Sequence, residues 1–332
     1  MGLIHMRAPG ATEATHQWPG LLGVLGLTSP EFESRMSEAL DVVEDRLRDC
    51  LRNAPEPGFA ALSDRLARAD DGRLRPLLVL FGAEFGKSWG DGVIQAAVMV
   101  ELLHISSVAG AHPSTAPGTD WLLARSAQLA AGLGPHALRL NAQTAGRLVG
   151  GQLRQLAGPA PGEDPVAHYF EVTAGATAAV LSLSLGVGAL QAATPDRWVQ
   201  DLIGYGEHLG AALHIADDLL VATAPAADTG DASARDPFAP SPGLPALLAR
   251  TDTTARGAEL RRLLTTGAMT GATRQRALEL LRTAPATRRA ETALHQRLTA
   301  AVAAVGGLPS VPARRALYAL VDFVALRTSR IG

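Results

Sequence analysis

Lysine is nearly absent from this 332-residue chain: Lys87 is its single representative among 30 basic residues, the other 29 being arginine. Cysteine is equally scarce, and a lone Cys50 excludes an internal disulfide and suits a reducing compartment. No charge of one sign dominates. Thirty basic against 32 acidic residues leave a net charge of −2, which excludes a nucleic-acid or polyanion surface built on bulk charge. Aromatics make up 4%, and no apolar run alternates with period two between hairpin turns, so a sheet is not expected. A basic-then-apolar leader pattern is also missing, Met6 offers an alternative start, and a cytoplasmic protein is expected.

With 47% hydrophobic and 19% charged residues, the chain has the composition of a compact soluble protein rather than a disordered one. The longest uncharged stretch, 172–195, is long enough to raise the question of a membrane. It contains Thr173, Thr177, Ser182, Ser184, Gln191 and several glycines without flanking arginine clusters. A buried central helix is expected there, and no membrane span.

Helical spacing runs through almost the whole sequence. Phe32, Met36, Leu40, Val43, Leu47 and Leu51 step by three and four behind the start signal Thr28-Ser29-Pro30-Glu31. Further helices are expected over 74–85, 93–108, 120–133, 135–156, 164–190 and 195–223, mostly opened by Pro or Asp and closed by Gly or Pro. Residues 224–243, with six prolines and glycines, read as a loop. Shorter helices follow over 244–250, 255–264, 274–282, 287–305 and 311–327. The expected organisation is an N-terminal flexible arm, 1–28, and one all-α domain over 29–330.

Certain strings are more specific than the helical pattern. Gly72-Arg73-Leu74-Arg75-Pro76 precedes Glu101-Leu102-Leu103-His104 by one helical hairpin. Gly151-Gln152-Leu153-Arg154 and Tyr205-Gly206-Glu207-His208-Leu209-Gly210 come next, then His214-Ile215-Ala216-Asp217-Asp218, and finally Leu308-Pro309 and Ala313-Arg314 before 317–327. In this order and spacing they resemble the trans-isoprenyl diphosphate synthases, the polyprenyl synthetase family, over roughly residues 30 to 328. The resemblance implies an all-α isoprenoid-synthase bundle around a central cavity, usually dimeric, that joins an allylic prenyl diphosphate to isopentenyl diphosphate. It also implies Mg²⁺ held by two facing aspartate-rich stretches, a pairing of a hard cation with oxygen ligands. By this likeness Arg73, Arg75, His104 and Gln152 are candidate diphosphate-binding residues, and Asp217, Asp218 and Asp236 candidate metal ligands.

The departures from the family pattern are as informative. Where the first aspartate stretch belongs, this chain reads Ala109-Gly110-Ala111-His112-Pro113-Ser114-Thr115, so Ala111, His112 and Thr115 replace three carboxylates. Pro113 would also stop a helix there. The arginine-bearing loop that should follow is shortened to 116–119. In the second stretch Asp217 and Asp218 remain, while Val221 takes the third position, on the same helical face as His214. The expected lysines are gone: Gly72 precedes Arg73, and Ala176-Thr177 replaces a lysine-threonine pair.

Two buried carboxylates without a counter-charge are costly, so a cation or a water-filled cavity is expected to meet Asp217 and Asp218. A diverged family member with weak or no ordinary elongating activity is therefore expected, working as a subunit or regulator in a homodimer or with an active relative. An alternative is a repurposed enzyme, a non-standard terpene synthase or prenyltransferase using Asp217 and Asp218 on an allylic diphosphate. A weakened Mg²⁺ site is expected in either case, and whether the chain catalyses at all stays open at this stage.

Overall fold

In the computed structural model, residues 22, 23, 25, 29–52, 73–87, 89–109, 116–223, 242–265 and 271–329 are described. They are helical nearly throughout, with no strand among them. The chain runs through α1 (Pro30–Arg52), α2 (Leu74–Ala83), α3 (Asp91–Ala109), α4 (Ala116–Gly132) and α5 (Pro135–Ala157). Then come α6 (Pro165–Thr173), a π-helical turn (Ala174–Ala178), α7 (Ala179–Gln191) and α8 (Asp196–Thr223). The remainder is α9 (Leu244–Ala249), α10 (Ala255–Thr265), α11 (Gly271–Arg282), α12 (Pro285–Ala304) and α13 (Pro312–Ser329).

Local chemistry sets many of these boundaries. At α1, the Phe32 amide donates to the Ser29 hydroxyl at 3.4 Å. At α6, Asp164 accepts from the Val166 amide at 3.1 Å, with Pro165 in the first helical position, where its missing N–H is not needed. Gly134 and Gly158 bracket α5, both at positive φ, which a side chain disfavours.

The uncharged stretch is an interior element. Pro165–Gln191 has the length and mean hydropathy (1.6) of a membrane span, but 83% of its most apolar 18 residues are buried in the fold. It is not one continuous α-helix as the spacing suggests: the π-helical turn interrupts it at the vacant lysine-threonine position, Ala176-Thr177. π-Turns insert a residue into the helical ladder and are frequent at functional sites.

At the centre α8 packs against α7 and α12, and α7 against α2. Gly206 and Gly210 explain the close approach of α8 to α7. A Cβ on Gly210 would lie 2.4 Å from the Ala178 Cα, and one on Gly206 would lie 2.6 Å from the Ser182 backbone. The spacing of four puts both glycines on one face, so the string Tyr205 to Gly210 is in part a packing requirement. Tyr205 is fully buried, its hydroxyl donating to the Leu317 carbonyl at 2.7 Å and tying α8 to α13. Of the expected N-terminal arm, Leu22 and Leu25 are described, and both are buried in the core cluster; the rest of it, apart from Gly23, lies outside the described residues.

Candidate functional site

Arg73 stands at the entrance of α2 with φ 51° and ψ 39°, a left-handed backbone that a non-glycine residue adopts at a cost of about 1 kcal/mol or more. Its guanidinium donates from Nε to Glu44 at 3.0 Å and from Nη1 to Glu101 at 2.7 Å. Burial works against the charge, but Glu101 and then Glu44 outweigh it and raise the pKa above its usual range. The structure therefore gives this candidate diphosphate ligand two protein carboxylates, on α1 and α3, as partners. Arg75, two residues on, is buried within the bundle.

His104 lies one turn beyond Glu101 on α3 and is half-buried. The Ser107 hydroxyl donates to the His104 carbonyl at 2.7 Å, and the Gln152 Nε2 donates to the Ser107 carbonyl at 3.1 Å. Gln152 on α5 and His104 are thus attached to the same helical turn. Residues 110–115, with Ala111, His112 and Thr115, lie outside the described residues, as do Gly72, 224–241 and with them Asp236.

Asp217 and Asp218 occupy the buried face of α8, at 0% and 6% exposure. Asp218 is embedded in hydrogen bonds. Its Oδ2 accepts from the Tyr169 hydroxyl at 2.7 Å and from the Leu244 amide at 2.9 Å. The second bond satisfies a free N–H at the start of α9, a capping role supplied from 26 residues away. Gly243 permits it, since a Cβ there would lie 2.7 Å from the Asp218 Cγ. Asp217 faces the other way in chain terms: its Oδ1 accepts from the Arg327 Nη2 at 3.3 Å, a bond reaching the last turn of α13. The Tyr169 ring packs at 5.5 Å from the His214 ring, one turn before the pair.

Arg327, Tyr169, Glu44 and Glu101 were not singled out by the sequence as partners of the site. Two of them carried a usable signal. Glu44 interrupts the apolar face of Met36, Leu40, Val43 and Leu47, and Arg327 continues the stripe of Leu317, Leu320 and Val324. A charge on a buried stripe requires an opposite charge or a hydrogen-bonding partner to meet it. Among the described residues, no group of three or more His, Cys, Asp or Glu side chains is placed to hold a metal ion.

An α-helical bundle with paired aspartates on a central helix has the architecture of an isoprenoid synthase. Residues 114–281 match the family model described as polyprenyl synthetase. The chain is 30% identical to a nonaprenyl diphosphate synthase of Mycobacterium tuberculosis, over 89% of its own length and 94% of that protein. Over 66% of its length and 75% of the other's, it is 28% identical to heptaprenyl diphosphate synthase component 2 of Geobacillus stearothermophilus. A crystal structure of geranylgeranyl pyrophosphate synthase from Corynebacterium glutamicum, complexed with calcium and isoprenyl diphosphate, superposes with a TM-score of 0.81 at 28% identity, covering 92% of this chain and 99% of that one. The chain belongs to the polyprenyl synthetase family, whose chemistry lies in isoprenoid biosynthesis.

Proposed function

We propose that this polyprenyl synthetase-family chain has weak or no ordinary prenyl-elongating activity and acts as a subunit or regulator of isoprenoid synthesis, as one domain over 29–330. The observation that carries this reading is the employment of Asp218. It is a metal-ligand position by family likeness, but here it caps α9 and holds Tyr169. Ala111, His112 and Thr115 point the same way, because a hard cation cannot be gripped where carboxylates are missing. Arg73 then serves as a buried strut between α1 and α3, while Arg75, His104 and Gln152 remain the candidates for meeting a prenyl diphosphate. Asp236 remains a candidate metal position by sequence alone, and any Mg²⁺ site is a weakened one.

A subunit role needs a surface, and α5 offers one. Val149, Leu153 and Leu156 are exposed at spacings of four and three, with Leu138 on the same helix. A contiguous exposed apolar stripe is a mark of a protein contact. One relative's name, component 2 of a heptaprenyl diphosphate synthase, describes a synthase with more than one component. The partner proposed for this chain is a second copy or an active relative.

The test supplies purified full-length protein with Mg²⁺, isopentenyl diphosphate and, in turn, dimethylallyl, geranyl or farnesyl diphosphate, alone and with a motif-complete relative. Negligible elongation alone, with altered turnover or product of the relative, is expected. Elongation at ordinary turnover by the chain alone would defeat the proposal. A cyclised product, or transfer to another acceptor, abolished by Asp217→Asn, would instead favour the repurposed-enzyme reading.

A further inference from the structure

Asp217 is the other carboxylate at an inherited metal position, and its surroundings differ from those of Asp218. The pair with Arg327 joins residues 110 positions apart, on the central helix and the C-terminal one. Asp217 is 0% exposed and the Arg327 side chain 12%, so both charges are taken almost wholly out of water. Two such charges persist in an interior only if each answers the other. The second terminal nitrogen of Arg327, Nη1, is buried with no hydrogen-bond partner among the described residues. The arginine is therefore held in this position chiefly by charge and by the packing of its stripe, not by a network of neutral acceptors.

A divalent ion does not fit the same place. Mg²⁺ and Ca²⁺ take six or more oxygen ligands in a shell that usually includes water, and Asp217 is sealed from solvent. The neighbouring carboxylate cannot be recruited cheaply either, because turning Asp218 toward a metal would strand the Tyr169 hydroxyl and the Leu244 amide in the interior. A metal would also stand beside an existing guanidinium, and like charges at short range in a poorly solvated site repel strongly.

We propose that Arg327 is the resident cation of the inherited acidic pair: its guanidinium occupies the position at Asp217 that a divalent metal would take and ties the C-terminal helix to the central one. The last helix is thereby docked without metal or substrate, and a component that needs no ligand to complete its fold can present a fixed surface to a partner. The inference rests on Asp217 being a metal position by family likeness. It does not rest on the chain being a poor synthase, and metal binding and turnover are read separately.

The test uses full-length protein stripped with EDTA and compares wild type, Asp217→Asn, Arg327→Met and the double variant. Mn²⁺ binding is followed by its paramagnetic effect on water relaxation, with and without inorganic pyrophosphate, and thermal unfolding is followed in EDTA. Wild type is expected to bind no Mn²⁺ through Asp217 at millimolar concentration, and Asp217→Asn to melt several degrees lower in EDTA. The double variant should lose less than the sum of the two single ones. Arg327→Met, where it folds, should bind Mn²⁺ at least about tenfold more tightly than wild type. Mn²⁺ bound by the wild type and lost on Asp217→Asn would overturn the proposal. So would an Asp217→Asn protein as stable as wild type in EDTA, and these two measurements suffice if Arg327→Met does not fold. Slow elongation together with Mn²⁺ on Asp217 would sink this inference alone, and fast elongation with no Mn²⁺ there would sink the functional reading alone.

Discussion

Replacing Asp218 by alanine separates a structural carboxylate from a metal-binding one by the sign of its effect. In the structure its Oδ2 accepts two hydrogen bonds, from the Tyr169 hydroxyl at 2.7 Å and the Leu244 amide at 2.9 Å. Hydrogen bonds to a charged group contribute about 1.5–3 kcal/mol each, net of desolvation. Because both donors share one oxygen, the low end applies, and Asp218→Ala should cost about 3 kcal/mol. Had the two adjacent aspartates been a vacant metal site, their mutual repulsion would dominate without metal. In the structure the Arg327 guanidinium answers the Asp217 charge, so little repulsion is relieved by the substitution; without such a partner, two like charges at about 4 Å would cost roughly 4 kcal/mol at an effective dielectric near 20, and removing one would stabilise the metal-free protein. Urea unfolding in EDTA measures the difference directly, provided the slope with denaturant is unchanged. Tyr169→Phe, which deletes one donor, should cost about 1.5 kcal/mol, and the two substitutions should be non-additive. An Asp218→Ala protein as stable as wild type, or more so, would refute the capping argument.

Other perturbations probe the same packing. Gly243→Ala should destabilise by about 1–3 kcal/mol, as overpacked sites do, and should cost clearly less in an Asp218→Ala background, because the carboxylate is gone and only the Cβ contact at 3.0 Å remains; denaturant midpoints of the four proteins check it. Gly210→Ala should cost at least as much whatever stands at 218, since the atom it meets is the Ala178 backbone. His208 is held below its ordinary pKa, first by burial and then by Arg297, against a smaller opposing pull from Glu207. The unfolded chain therefore takes up a proton before the folded one as pH falls below about 6.5, and stability drops through that window. His208→Gln should flatten this part of the profile in unfolding midpoints taken on either side of it. On α5, Leu153→Glu with Leu156→Glu should shift the protein to a smaller species by light scattering if the apolar stripe is an interface, with helicity by circular dichroism unchanged, because both side chains are exposed on the single chain.

The helices were readable because each carries its period and its punctuation locally. The expected 135–156 and 195–223 are observed as Pro135–Ala157 and Asp196–Thr223, each opened by a residue suited to a first turn. What local pattern could not supply is the π-helical turn within 165–191, where no proline or charge marks the break. The start of α4 at Ala116, ahead of the expected Asp120, is a second such case, because Pro117 is compatible with a first turn. At the site, adjacency in sequence identified Asp217 and Asp218, but their partners lie 110, 49 and 26 residues away. Spacing rules reach one or two helical turns and are blind to such distances.

That blindness bears on how an acidic pair at a family metal position is weighed. Such a pair testifies to metal only when nothing else in the fold requires it. Here a helix amide, a tyrosine hydroxyl and an arginine each depend on it. Removing one member of a buried charge pair costs about 3–5 kcal/mol because its partner is left behind, a large share of the roughly 5–15 kcal/mol that holds a typical domain together. Asp217 and Asp218 would therefore be needed for folding even in a chain that never bound magnesium, whereas Ala111, His112 and Thr115 carry no carboxylate for any purpose. By family likeness the two stretches therefore weigh differently: the absence of carboxylates at 111, 112 and 115 in the proposed first stretch says more about metal than the presence of Asp217 and Asp218 in the second, where the fold itself demands them.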